Sequence, residues 1–270
     1  TTGGAVVNTM SKRELDHLRT HRKFGHFHIP GIVVDCETCK RCKDTGVLSH
    51  KEKRSIHLNV KKLGVQVNVD FAGPFERSIF GKVWMLIMVD DFVPWVEIYA
   101  LNKKSDAGLA LEDYYTFVRK MVRTRADNAP EFVGPKSGWM QVHKKLDILP
   151  TNAQQYEPET NGKAEGEVRT ETNGLRANLD GVDKRLWCQC AQFYQPHVRN
   201  RLATRKTKKS PYKHATGRDP KTHYFQRFGV RCWAKVNVLK RDKHRMSKLA
   251  ERYEPAVFLG YNRNSTYRVG

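Results

Sequence analysis

The sequence predicts a mixed α/β fold, because three consecutive strands are followed by alternating helices and strands. Apolar and polar residues alternate over 65–70, which is the periodicity of a strand. Residues 83–89 form a continuous apolar run, which is typical of a strand buried on both faces. A third strand is predicted over 93–101, where Pro94 weakens the pattern at its start.

Helices follow these strands along the chain. Ser105 is expected to cap a helix that runs to about Lys120. A short fourth strand is predicted over 121–126, and the Pro- and Asn-rich segment 150–161 is predicted to be a loop. Three more helices are predicted, over 139–146, 162–179 and 187–202.

The charge composition indicates a polyanionic partner. The 270 residues include 49 Lys and Arg against 28 Asp and Glu, a formal net charge of +21. Nucleic acid is the commonest polyanion, so contact with its phosphates is expected. Hydrophobic residues make up 39% of the chain, which is enough for a core, and the longest apolar run is too short to cross a bilayer. These numbers exclude wholesale disorder and a membrane-spanning protein.

Three acidic residues occupy positions where their carboxylates can meet. Asp70 lies in the first strand, Asp127 directly after the fourth, and Glu165 in the first turn of the long helix. Converging carboxylates repel one another, and hard divalent cations offset that cost. Two such cations about 3.5–4 Å apart stabilise the attacking and leaving oxygens of a phosphoryl transfer. The alternative is that each acid only caps its own strand or helix.

Ordered motifs around these acids resemble the DDE core of retroelement integrases. They read Asp-Phe-Ala-Gly-Pro-Phe, Asp-Asn-x-Pro-Glu-Phe and Tyr-x-Pro-x-Thr-Asn-Gly-x-Ala-Glu, over 70–75, 127–132 and 156–165. Between Asp127 and Glu165 lie 37 residues, close to the spacing of that core. Motifs that resemble the segment following the core in copia-type retrotransposon polyproteins occur at 210–212, 217–220, 228–229 and 258–261.

The resemblance implies an RNase H-like fold with two appended parts. The expected core, over 61–203, is a five-stranded mixed sheet with flanking helices. A small N-terminal zinc-type module is expected over 1–60, and a small β-rich DNA-binding segment over 204–270. The resemblance also implies a homo-oligomer, located in the nucleus or in a virus-like particle.

The resemblance further implies the chemistry of the three acids. Asp70, Asp127 and Glu165 are expected to hold Mg²⁺ or Mn²⁺ and to catalyse strand transfer of the element's cDNA ends into target DNA. No nucleotide cofactor is needed, because one phosphodiester is exchanged for another. Glu131 belongs to the second motif, where a supporting role is expected.

The long helix carries further candidates. Glu167 lies roughly 200° around the helix from Glu165, which excludes it from the same site. Arg169 lies at i+4 from Glu165, where it either contacts a DNA phosphate or forms an ion pair with Glu165. Lys163 is predicted as another DNA contact.

Histidines and cysteines near the start of the chain predict a zinc site. His17-x3-His21 and Cys36-x2-Cys39 supply four tetrahedral ligands and resemble the HHCC module of integrases. Three further residues compete as ligands: His26, His28 and Cys42. The alternative is a flexible basic arm with free thiols. Three of the six cysteines lie within seven positions, which favours an intracellular reducing compartment over a disulfide framework.

The C-terminal part of the chain is strongly basic. Residues 197–250 contain 17 Lys and Arg against two acids. Strands are predicted over 231–238 and 256–261, and the resemblance implies a small, SH3-like DNA-binding module there. The predicted DNA contacts of the linker are Arg205, Lys206, Lys208 and Lys209, because a one-sided charge beside a phosphoryl-transfer core favours phosphate contact over a solvated face.

Two other functions stay open from the sequence. Only a few residues separate the helix that ends near Lys120 from the strand that leads to Asp127, whereas the family has a longer connection there. One alternative is therefore a truncated, catalytically inactive retroelement copy that only binds nucleic acid. The other is a different RNase H-like nuclease.

Overall fold

A computed structural model describes most of the chain. The described residues are 12–27, 35–42, 63–118, 121–152, 162–204, 208–235, 252–264 and 266–270. Of the helices within these ranges, none is long and apolar enough to cross a membrane.

A five-stranded mixed sheet forms the centre of the fold. Its strands are β1 (Gln66–Ala72), β2 (Trp84–Asp90), β3 (Val96–Leu101), β4 (Arg123–Ala126) and β5 (Leu149–Asn152). They lie in the order β3-β2-β1-β4-β5. The first three pair antiparallel, and β4 and β5 run parallel to β1. The predicted mixed sheet is confirmed.

The fifth strand corrects the predicted loop. Pro150 lies within β5 and pairs with Thr124 of β4, and the Thr151 hydroxyl donates to the Thr124 carbonyl at 2.7 Å. A proline removes one backbone donor, which an edge strand such as β5 tolerates. Residues 153–161, the rest of the predicted loop, lie outside the described residues.

Nine α-helical segments occur in the described part of the chain. They are α1 (Lys12–Lys23), α2 (Glu37–Cys42), α3 (Ala107–Val118), α4 (Pro130–Val133), α5 (Gly138–Leu146), α6 (Gly162–Asn178), α7 (Trp187–Gln189), α8 (Gln195–Arg199) and α9 (Pro211–Thr216). A π-helical turn, Cys190–Tyr194, joins α7 to α8. Ser105 does not cap α3, because a 3-10 turn over Lys104–Asp106 precedes it. The short helices α4 and α9 were not predicted.

Hydrophobic side chains fill both faces of the sheet. Ile87 and Val89 of β2 pack on one side, in a cluster with Leu175 of α6. Leu86 and Met88 point to the other side, where the cluster includes residues of α3 and α5. Because β2 is buried on both faces, its sequence is continuously apolar, as predicted.

The C-terminal segment packs on the core of the sheet. Strands β6 (Arg231–Lys235), β7 (Tyr253–Tyr261) and β8 (Tyr267–Val269) form a three-stranded antiparallel sheet. Its residues Phe258 and Tyr261 belong to the same buried cluster as Tyr194. The described part of the segment after 204 therefore contains a three-stranded sheet, and it shares one hydrophobic core with residues before 203.

Candidate active site at the sheet edge

The register of β1 and β4 brings two of the predicted acids to one end of the sheet. The parallel pairs run from Gln66 opposite Arg123 to Asn68 opposite Arg125. Asp70 and Asp127 each lie two residues beyond the last of these pairs, so the same register places them side by side. Asp127 is the first residue after β4. The short connection between α3 and β4 therefore does not displace Asp127 from β1.

The third acid arrives from α6. This helix packs over β1 and β2, and Glu165 lies in its first turn. Burial raises the pKa of Asp70 to about 6, and repulsion from Asp127 and Glu165 adds to the shift. A hydrogen bond from the Phe71 N–H to Asp70 Oδ1, 2.7 Å long, opposes it. Asp127 and Glu165 therefore both lie close enough to Asp70 to act on its charge.

The three carboxylates are not drawn tightly together. Within the described ranges, their oxygens do not all lie within 4.8 Å of one another. Asp70 accepts from Phe71, and Asp127 Oδ1 accepts from the Ala129 N–H at 3.2 Å. Mutual repulsion favours this spacing, and a hard cation would draw the oxygens together. Three carboxylates are nonetheless the donor set that Mg²⁺ prefers.

Aromatic residues and one lysine border the acids. Lys104 Nζ lies 5.2 Å from the ring centroid of Phe71 and 4.6 Å from that of Trp84. Its ammonium is 3.9 Å from Glu131 Oε1. Phe71 stacks on Phe132 at 5.0 Å, which ties β1 to α4. Lys104 was not predicted as a site residue, because a lysine after a strand is most often a solvated charge.

Lys163, a predicted DNA contact that stays a prediction, is bound here by acceptors of the protein itself. Its ammonium donates to the Asp90 carbonyl at 2.7 Å, the Asp91 carbonyl at 2.7 Å and Asp91 Oδ1 at 3.1 Å. An ammonium has three N–H donors, and these three acceptors occupy them. Lys163 therefore anchors the start of α6 to the turn between β2 and β3, which fixes the helix that carries Glu165.

The opposite face of α6 is held by a buried ion-pair network. Arg199 of α8 pairs with both Glu167 and Glu171, and the Glu171 side chain is fully buried. Glu167 thus points away from the acids, as its helical position predicts. Arg169 is exposed, and within the described structure no ion pair joins it to Glu165. Its contact with DNA stays a prediction.

A second cluster gathers two histidines and two cysteines. Ligand atoms of His21, His26, Cys36 and Cys39 all lie within 4.8 Å of one another. His21 Nε2 is 3.1 Å from Cys39 Sγ, and His26 Nδ1 is 3.4 Å from Cys36 Sγ. Two nitrogens and two sulfurs at this spacing fit tetrahedral Zn²⁺.

His26 takes the place predicted for His17. A turn follows α1, in which Gly25 has a φ of +63° and His26 a φ of 60°. This turn folds the chain back, so that the His26 N–H donates to the His21 carbonyl at 3.0 Å. His17 lies one helical turn before His21, on α1, and is not part of the group. His28 lies outside the described residues.

The His/Cys module docks on the far end of α6. The Thr38 hydroxyl donates to Asp180 Oδ2 at 2.9 Å, and Arg41 pairs with the same oxygen at 3.0 Å. Asn178 donates to the Gly25 carbonyl at 3.2 Å. Helix α6 therefore carries Glu165 in its first turn and contacts the His/Cys module at its other end.

The four linker lysines and arginines are only partly described. Arg205 and Lys206 lie outside the described residues. Lys208 and Lys209 are exposed, and the Thr204 N–H donates to the Lys209 carbonyl at 3.2 Å. Their predicted DNA contact stays a prediction.

Comparison with solved structures identifies the fold. A chain of the simian T-cell lymphotropic virus intasome matches over 83% of this chain and 78% of its own, with a TM-score of 0.52 and 15% identity. The BIV integrase catalytic core domain covers 57% of this chain and 95% of its own, at a TM-score of 0.43 and 17% identity. The HTLV-2 integrase catalytic core domain in complex with magnesium covers 56% of this chain and 95% of its own, at a TM-score of 0.44 and 14% identity.

The five-stranded mixed sheet with flanking helices therefore matches the RNase H-like fold of integrase cores. No protein-family model and no curated protein matches the chain. At 15% identity the likeness establishes the fold alone.

Proposed function

We propose that this protein is a retroelement integrase, of the copia type, that catalyses metal-dependent DNA strand transfer. One observation supports the proposal: Asp70 of β1 and Asp127 after β4 lie at corresponding positions of neighbouring parallel strands, and Asp127 and Glu165 both raise the pKa of Asp70. The motifs around them support the copia type. A net charge of +21 supports DNA as the partner.

The acids would hold Mg²⁺ or Mn²⁺, which supplies Lewis-acid stabilisation of the oxygens that attack and leave. In the reaction, a 3′ hydroxyl of the element's cDNA attacks a target phosphodiester. One phosphodiester forms and one breaks, and the target strand leaves with a new 3′ hydroxyl. Asp70 lies on a central strand and Asp127 directly after the neighbouring one, so the sheet fixes their positions relative to each other. Lys163 and Arg199 fix Glu165 through α6.

We also propose Zn²⁺ at His21, His26, Cys36 and Cys39. Metal would join the turn that follows α1 to α2, two short segments too small to bury much apolar area by themselves. Its docking on α6 places the module beside the core. Assembly into a homo-oligomer and binding of cDNA ends and target DNA belong to the same proposal.

A strand-transfer assay tests the function. With Mg²⁺ and a duplex that mimics a cDNA end, we expect joined products from the wild-type chain and at least a hundredfold fewer from Glu165→Gln, since a metal-site carboxylate is lost. Glu112→Gln is the matched control, because Glu112 pairs with Lys145 on α5 at 2.8 Å. DNA affinity of Glu165→Gln should not fall.

Each alternative function has its own outcome. Wild-type activity in Glu165→Gln would refute the metal site. Cleavage without joining would favour another RNase H-like nuclease. DNA binding with no metal-dependent product would favour an inactive copy.

A further inference from the structure

Lys104 stands out among the cations near the acids because its surroundings hold it in place. Its ammonium lies over two ring faces, those of Phe71 and Trp84, at 5.2 and 4.6 Å. The side chain is 29% exposed, so the charge is partly withdrawn from water. Aromatic faces attract a cation without occupying its N–H donors. The ammonium is thus oriented while its hydrogen-bonding capacity is retained.

The N–H donors of Lys104 are available for a ligand. Its nearest carboxylate oxygen, on Glu131, is 3.9 Å away, beyond hydrogen-bonding distance. Across the parts of the chain that the structure covers, Lys104 Nζ has no hydrogen-bond acceptor. Lys163 is the opposite case, since three protein acceptors occupy its ammonium.

The charges around the site indicate which ligand the N–H donors of Lys104 would bind. Asp70, Asp127 and Glu165 present negative charge to any approaching DNA phosphate. Lys104 supplies positive charge that acts on Asp70 from the same end of the sheet. A phosphate oxygen is the acceptor that a partly desolvated ammonium with unused donors would bind best.

We propose that Lys104 binds a phosphate oxygen of DNA at the edge of the candidate active site, held in position by Phe71, Trp84 and Glu131. The proposal rests on the proposed function, since DNA is its ligand. It adds a phosphate-contacting residue to a site whose motifs name only acids. The structural alternative is that Lys104 only neutralises Glu131 and covers the two rings.

Salt titration of DNA affinity separates these roles. Lys104→Met keeps an unbranched apolar chain over both rings and removes the ammonium. For a short fluorescent duplex, we expect the slope of log affinity against log salt to fall by about 0.9, the loss of one phosphate contact. Affinity at low salt should fall roughly tenfold. In Lys104→Arg, which keeps the positive charge, both the slope and the affinity should stay at the wild-type values.

Lys103→Met is the matched control, because Lys103 is adjacent, equally charged and exposed. It should leave the slope unchanged. An unchanged slope in Lys104→Met, or an equal loss in Lys103→Met, would overturn the proposal. A wild-type chain that binds the duplex but joins no ends would refute strand transfer and leave this comparison valid.

A second measurement covers the case in which Lys104→Met unfolds. Phosphates of the duplex are replaced one at a time by uncharged methylphosphonates, and Kd is measured for the wild type and for Lys104→Arg. At one position near the joined end, the replacement should raise the Kd of both proteins roughly tenfold. The same replacement should leave the Kd of Lys104→Gln unchanged. Equal losses in all three proteins at every position would overturn the proposal.

Discussion

Replacing Arg199 by Met should destabilise the protein strongly, because Arg199 joins two acidic residues of α6 to α8. Its guanidinium pairs with Glu167 and with the fully buried Glu171. Burial lowers the pKa of Arg199, but the two carboxylates more than offset this and raise it, so the residue stays charged. Met fills a similar volume and leaves both carboxylates without their cation.

The expected loss follows from the burial of the charges. Removing one partner of a buried ion pair costs about 3–5 kcal/mol, because the remaining charge is uncompensated. At about 2–4 °C per kcal/mol for a protein of this size, the Tm should fall by roughly 6–20 °C. Thermal melting followed by circular dichroism measures it. Strand transfer should fall as well, since Glu165 lies in the first turn of the same helix.

Two controls isolate the cause. Arg185 forms an exposed ion pair with Asp183 at 2.8 Å, so Arg185→Met should cost less than about 1 kcal/mol. Adding Glu167→Gln and Glu171→Gln to Arg199→Met should recover much of the loss, since no unpaired charge remains. A Tm for Arg199→Met equal to that of the wild type would refute the argument that this network holds α6.

Two further predictions concern the zinc site and the packing of α3. His26→Ala should release Zn²⁺ and His17→Ala should retain it, as metal content after dialysis will show, and the reverse result would restore His17 as a ligand. Gly108→Ala should lower stability by about 1–3 kcal/mol, because its Cβ would lie 2.6 Å from the Gly138 carbonyl oxygen on α5. Gly166→Ala, whose Cβ would meet nothing within 4 Å, should instead raise the Tm, and equal effects of the two changes would contradict the contact.

Local periodicity predicted the strands that are buried on both faces, but it failed for β5, the outermost strand of the sheet. The apolar run 83–89 predicted β2, whose side chains enter both hydrophobic clusters. The edge strand β5 has the sequence Leu-Pro-Thr-Asn, without alternation and with a proline. β5 is defined by its pairing with β4, which is distant along the chain, so no local stretch of sequence predicts this strand.

The acids were predicted by the resemblance of their motifs, whereas the residues that support them were not. Lys163 reaches carbonyls that lie 73 and 72 positions earlier in the chain. Lys104 meets Phe71 and Trp84 only after β1, β2 and β3 have paired. The choice of His26 depends on two consecutive residues with positive φ, which the sequence signals only through Gly25. Contacts of this kind depend on tertiary structure.

The C-terminal segment is strongly basic in composition, but its aromatic residues determine where it packs. Phe258 and Tyr261 pack in one cluster with Tyr194, and Arg268 lies 4.0 Å from the ring centroid of Phe193. Truncation at 203 would therefore expose part of the core as well as remove charge, and a loss of DNA binding would not identify the cause. Neutralising exposed lysines such as Lys208, one at a time, removes charge and leaves those aromatic contacts in place. Phosphate contacts made by this segment are therefore to be measured as changes of salt slope in the full chain.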